Sequence, residues 1–380
     1  MKTIGTLALS ALLLICVLTR GHTADEKKQP RGYSIPLIDL AGEKHRQVVV
    51  DREKGVYLGH PTTVLLEDQK TMICVYPAGH GRGRIIMKRS SDAGLTWSAR
   101  LKTPENWATS KEVPTIHRVI DAAGKKRLIM FSGLYPARLA VSEDDGATWS
   151  APEEITASVM PPSWNWYATG PGHGIQLESG RLLIPCDHRE PDMPNRTSRS
   201  HVICSDDHGA TWKLGGILDL DTNECEAVEC PAEGTVYMNM RSFHGRKRRA
   251  CARSADGGDT WSGVELDEAL VEPVCQASIV RFSDGVRHDR SRVLFSNPAS
   301  ESRERMTVRV SYDECRSWTA GKVLHEGPSA YSSLCVAPDM TICCLYERGV
   351  EGPFEELCLA RFGIAWLADC LLYTSPSPRD

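Results

Sequence analysis

Apolar residues along this chain fall into short runs, often alternating with polar ones, and each run ends near glycine, aspartate or proline. "RIIMKRS" (84–90), "RLAVSE" (138–143), "HVICS" (201–205), "RRACARS" (248–254) and "MTVRVS" (306–311) all have this form. Side chains of a strand point alternately to its two faces, so such alternation predicts half-buried β-strands. "RLIMFSG" (127–133), "RLLIPCD" (181–187) and "TVYMNMR" (235–241) add further strands bounded by turn residues. Sustained helical periodicity is missing. The pattern predicts an all-β fold.

Each of the first five runs leads into the same octad, Ser-x-Asp-x-Gly-x-Thr-Trp. Copies start at 90, 142, 205 and 254, with a worn one, "SYDECRSW", at 311. A period of this size marks a solenoid, propeller or array, and several short strands per unit select the propeller. Residues 25–370, divided by the period, make about six units, hence a six-bladed β-propeller with one blade lacking its copy. Asp and Ser/Thr side chains bond the backbone of a tight turn, Gly takes a positive φ, and Trp anchors the turn by burial. Their carboxylates lack EF-hand spacing, so the octads read as scaffold.

Composition narrows the function classes. The net charge of -4 gives no electrostatic case for nucleic acid. Lys2 and the apolar run 4–18, too short for a comfortable membrane span, read as a signal peptide over 1–24, so the chain is expected to be exported. No other segment is apolar enough to cross a bilayer. Of fourteen cysteines, Cys16 leaves with the signal, and the rest show no disulfide framework. No C-x-x-C or H-E-x-x-H occurs, so neither a metal nor a cofactor is expected. "NRT" (195–197) is a surface turn or a glycosylation acceptor. "LLYTSPSPRD" (371–380) has no pattern and is excluded from the fold as a tail.

If the octad turns the chain between a blade's third and fourth strands, loops entering strand three and leaving strand four share the opposite rim. That rim then carries "DTNEC" (221–225), "RSFHGRK" (241–247), "NPASESRER" (297–305) and "EGPSAYSS" (326–333). "HGRKRR" (244–249) is expected on the same rim, attracting an anionic substrate. A symmetric turn at 231–234 pairs Glu224 with Arg241 across strands; taken alone, this is a surface ion pair of little worth.

The octad resembles the Asp-box, or BNR repeat, of sialidases, which are six-bladed propellers. From about 155 to 367 the chain is similar to the exo-α-sialidases, carried by "WYATGPGHGIQL" (166–177), "LLIPCDH" (182–188), "NECEAVE" (223–229), "NMRSFHG" (239–245), "EPVCQASIVRF" (272–282), "LFSNPASESRERMTVRVSYD" (294–313), "GPSAYSSL" (327–334) and "LYERG" (345–349). By that resemblance Tyr331 is the nucleophile and Glu224 its general base. Arg241 and Arg303 are two of three arginines on the substrate carboxylate, and Glu347 steadies the remaining arginine. Substrates would be sialylated glycoproteins, glycolipids or oligosaccharides. Sialic acid carries a carboxylate on its anomeric carbon, which would repel a carboxylate nucleophile; a phenol avoids this but, with a pKa of about 10, needs a base. Guanidinium forks bind carboxylates bidentately.

The first blade departs from the family. The strand that should read Phe/Tyr-Arg-Ile-Pro is "VYLGHPTTV" (56–64), without arginine, and no acid occurs between Asp68 and Asp92. His80, Arg82 and Arg84 lie on the expected rim as replacements, with Glu112 a further proton donor; their bland reading is a solvated loop. The gap leaves two alternatives open: a divergent sialidase, or a catalytically impaired, lectin-like binder of acidic sugars.

Overall fold

The computed structural model describes residues 46–81, 83–108, 113–132, 136–194 and 197–368. The expected leader and tail, Arg82, Glu112, and Asn195 and Arg196 of the glycosylation motif lie outside the described residues.

Antiparallel meanders follow one another along the chain. The first sheet comprises Thr62–Leu65, Met72–Pro77 and Ile85–Ser90. The second comprises Thr115–Ile120, Lys126–Phe131, Arg138–Ser142 and Glu153–Glu154. A third is built on Leu182–Arg189, Arg199–Ser205 and Lys213–Leu220, with Trp166–Thr169 and Ile175–Gln176 along its inner edge. The fourth contains Thr222–Cys230, Thr235–Ser242, Arg248–Ser254 and Glu265–Val271.

The remaining seven strands form one hydrogen-bonded sheet, so the described residues make five sheets where six blades are expected. The reason is the 15-residue strand Lys322–Val336. Its first half pairs with Glu304–Ser311 and its second half with Ile342–Arg348. Arg46–Arg52, from the start of the described chain, pairs with Glu356–Phe362 and completes this sheet.

The sheets close a propeller-like ring. Thr62–Leu65 contacts both Thr115–Ile120 and Lys322–Val336, while Thr222–Cys230 lies between Leu182–Arg189 and Ser278–Ser283. Between the second and third sheets, Gly174 N donates to His117 Nδ1 at 2.9 Å and Ile120 N to Gln176 Oε1 at 3.1 Å. Apolar side chains fill the wedges between neighbours, as where Ile129 and Phe131 of the second sheet meet Leu182 and Ile184 of the third. Each such burial is worth about 1.5–3 kcal/mol, which makes sheet-on-sheet packing the main support of the ring.

All five octads adopt one hydrogen-bonded turn. In the fourth, Ser254 Oγ donates to Asp256 at 2.7 Å and accepts from Gly258 N at 2.8 Å, and Asp256 takes both the N–H and the hydroxyl of Thr260. The worn copy keeps the geometry with Cys315 at φ 65° in the glycine place. Trp212 is buried, and the half-buried Trp97, Trp149, Trp261 and Trp318 each pack against a core cluster, as the anchoring role predicts. Every copy turns the chain at the end of its sheet's third strand. The opposite rim therefore collects the stretches expected there, except that 222–225 and 326–333 lie within strands rather than in loops.

Candidate active site

The hairpin Thr222–Cys230/Thr235–Ser242 keeps the expected register from Cys225↔Met240 to Cys230↔Thr235. Its ladder is interrupted between Thr222 and Cys225, and this bulge carries Glu224. Bulges re-aim side chains at strand ends, and here the result is a three-membered cluster. Tyr331 Oη donates to Glu224 Oε1 at 2.6 Å. Arg241 Nη1 donates to Glu224 Oε2 at 2.7 Å and lies 3.2 Å from Tyr331 Oη. The Arg303 guanidinium stands 5.4 Å from the Tyr331 ring centre and 5.7 Å from that of Phe354. The structure thus brings together Tyr331, Glu224, Arg241 and Arg303, contributed by separate strands and one loop.

Electrostatics favour a phenol–carboxylate pair with the proton on oxygen of the phenol. Burial and the neighbouring Glu224 hold the Tyr331 hydroxyl well above its ordinary pKa, with Arg241 and Arg303 offsetting part. Burial pushes Glu224 upward, but Arg241 and the Tyr331 hydroxyl outweigh it and keep the carboxyl below its ordinary value. Glu224 is therefore an ionised acceptor beside a neutral phenol, the protonation that base-assisted attack requires. Arg241 Nε is buried without a hydrogen-bond partner among the described residues.

Glu347 lies beneath Tyr331. Its oxygens accept from Tyr57 Oη at 2.8 Å, His60 N at 2.7 Å and Tyr331 N at 3.2 Å. Burial pushes its pKa up to about 7. The arginine that it would steady has no place here: a Cβ on Gly59 would stand 2.3 Å from Glu347 Oε1 and 2.2 Å from Tyr57 Cε2. The Tyr57 ring and hydroxyl occupy that space.

Of the first-blade candidates, His80 is exposed, its ring 4.7 Å from His60 and 5.3 Å from Tyr57. Arg84 is exposed, and its carbonyl accepts Ala78 N at the base of the loop. Arg82 lies outside the described residues. The "HGRKRR" stretch is only partly on the rim: Arg249 is fully buried, bonded to Glu272 at 2.7 Å and Asn239 at 2.7 Å. Among the described residues no cluster of three metal-ligating side chains occurs.

Sequence reasoning missed Tyr57, Cys275, Phe354 and Asp187. Cys275 and Phe354 pack against Tyr331. Buried Asp187 accepts from Asn223 at 2.5 Å, and burial with Glu224 nearby raises its pKa. Apolar spacing gives no signal for these, because each reaches the site through the closure of the ring.

Residues 126–344 match the family model of the BNR repeat-like domain. Among curated proteins, the chain is 32% identical over 332 residues to a sialidase of Micromonospora viridifaciens, covering 78% of this chain and 49% of that protein. It is 31% identical over 294 residues to Sialidase-3 of Bos taurus, covering 62% of this chain and 68% of the relative. Among solved structures, the Hadza microbial sialidase Hz136 superposes with a TM-score of 0.70 at 26% identity, over 82% of this chain and 66% of the other. The class is thus an all-β protein of BNR repeats. The chain belongs to the sialidase family. It spans about half the length of the Micromonospora relative.

Proposed function

We propose that the chain is an exo-α-sialidase that removes terminal sialic acid from glycoproteins, glycolipids or oligosaccharides with retained configuration. The carrying observation is the 2.6 Å contact between Tyr331 Oη and Glu224 Oε1, with Arg241 bonded to the same carboxylate. Arg241 and Arg303 hold the substrate carboxylate. Glu224 takes the phenol proton as Tyr331 Oη bonds to the anomeric carbon. The glycosidic oxygen leaves with the bonding pair and is protonated from the first-blade side, where His80 lies. Water then attacks the anomeric carbon and gives a proton back to the first-blade donor, the bond to Tyr331 breaks with its electron pair left on the phenol oxygen, and that phenolate recovers its proton from Glu224. Sialidases are Tyr-nucleophile exceptions among glycosidases.

The ring supports a six-blade count, with the seven-stranded sheet taken as two blades sharing Lys322–Val336. An apolar core separates its halves, with Leu294 and Val308 on one side and Cys344 and Ala360 on the other.

The missing first-blade arginine favours a second reading, a binder without turnover. A fluorogenic sialoside separates the two. Turnover that falls about a thousandfold in Tyr331→Phe supports the enzyme; binding of sialic acid without turnover supports the binder.

A further inference from the structure

His60 combines four features that no structural role for a loop histidine requires together. Its φ is 53°, in the left-handed region that non-glycine residues seldom adopt. Its ring is buried, and Nδ1 has no hydrogen-bond partner among the described residues. The ring stands edge-on to Tyr331, with centroids 4.6 Å apart at 72°. Glu224, Arg241 and Arg303 all act on it electrostatically, so it faces the same cluster. Strained backbone persists where neighbours over-determine it, and it collects at functional sites. Here the brace is visible: His60 N donates to Glu347, which Tyr57 Oη and Tyr331 N also hold.

We propose that His60 is a substrate-binding residue, donating an imidazole N–H to the carboxylate of the acidic sugar beside Arg241 and Arg303. The Tyr57–Glu347 pair fixes it in that position. This rests on the sialidase reading of the same pocket and adds to it a neutral hydrogen bond on the first-blade side. Burial, with His80, Arg303 and Arg241 adding to it against Glu224, holds the imidazole pKa down to about 3, so the ring stays neutral at working pH. A neutral donor adds no third cation to a cluster already holding two guanidiniums. The unpartnered nitrogen, a costly state for a buried polar atom, is relieved when the ligand arrives.

The test compares His60→Phe, His60→Ala and His60→Asn on a fluorogenic sialoside, with thermal unfolding of each variant. Asn tolerates the left-handed backbone and keeps an N–H donor. The expected result is a KM about tenfold higher in the Phe and Ala variants with kcat nearly unchanged, and recovery to within about threefold in the Asn variant. A folded Phe or Ala variant with wild-type KM overturns the inference, as does equal impairment of all three. If the wild type binds sialic acid without turnover, the same comparison is made on Kd by titration, with the same expectation. A wild type that turns over sialoside while His60→Phe is unaffected sinks this inference alone. A wild type that neither turns over sialoside nor binds sialic acid sinks the sialidase reading as well.

Discussion

Glu347 shows how one buried carboxyl leaves a signature in bulk behaviour. In the unfolded chain it ionises near its ordinary 4.5, whereas in the fold burial keeps its proton until about pH 7. Between those values the folded state holds a proton that the unfolded chain has released, so stability falls as pH rises through the window. The shift corresponds to about 3 kcal/mol. Urea unfolding of the wild type against Glu347→Gln should therefore show the wild type losing about that much relative to the variant from pH 4.5 to 7; parallel curves would contradict the assignment. At this scale the sequence was partly legible. Tyr331, Glu224, Arg241 and Arg303 were named through motif resemblance, and Glu224 and Arg241 also through hairpin symmetry. In 56–64 the sequence showed only the lack of an arginine; that the Tyr57 ring fills the space beside Gly59 was not legible, because packing between distant loops leaves no local pattern.

At the scale of elements, the octads are turns whose side chains satisfy their own backbone. Ser254 Oγ is buried and is the acceptor of Gly258 N–H. Ser254→Ala leaves that N–H unpaired and should cost about 1–2 kcal/mol in denaturant unfolding. Turnover per folded molecule should stay unchanged, since the turn lies on the rim opposite Tyr331; a loss of turnover at full folding would make the octad more than scaffold. The strands and their turns were readable because period-2 alternation and the Ser-x-Asp-x-Gly pattern are both local. The bulge at Glu224 and the 15-residue strand through Tyr331 were not, since each depends on pairing with a neighbour and not on the run's own residues.

For the whole molecule, the ring turns distance along the chain into proximity. Glu224 and Tyr331 are 107 positions apart in sequence and 2.6 Å apart in space. Closure depends on Arg46–Arg52 joining Glu356–Phe362, which ties the beginning of the described chain to its end. The period predicted a propeller-like ring, while the single seven-stranded sheet escaped it because the strand Lys322–Val336 pairs on both sides. In the proposed mechanism this closure makes Tyr331 Oη the atom that bonds to the sugar. An activated fluorinated sialosyl donor, which slows release of a covalent intermediate, tests it by peptide mass spectrometry. The expected result is one sialosyl adduct on Tyr331, absent in Tyr331→Phe; an adduct on another residue, or turnover without any adduct, would overturn the mechanism.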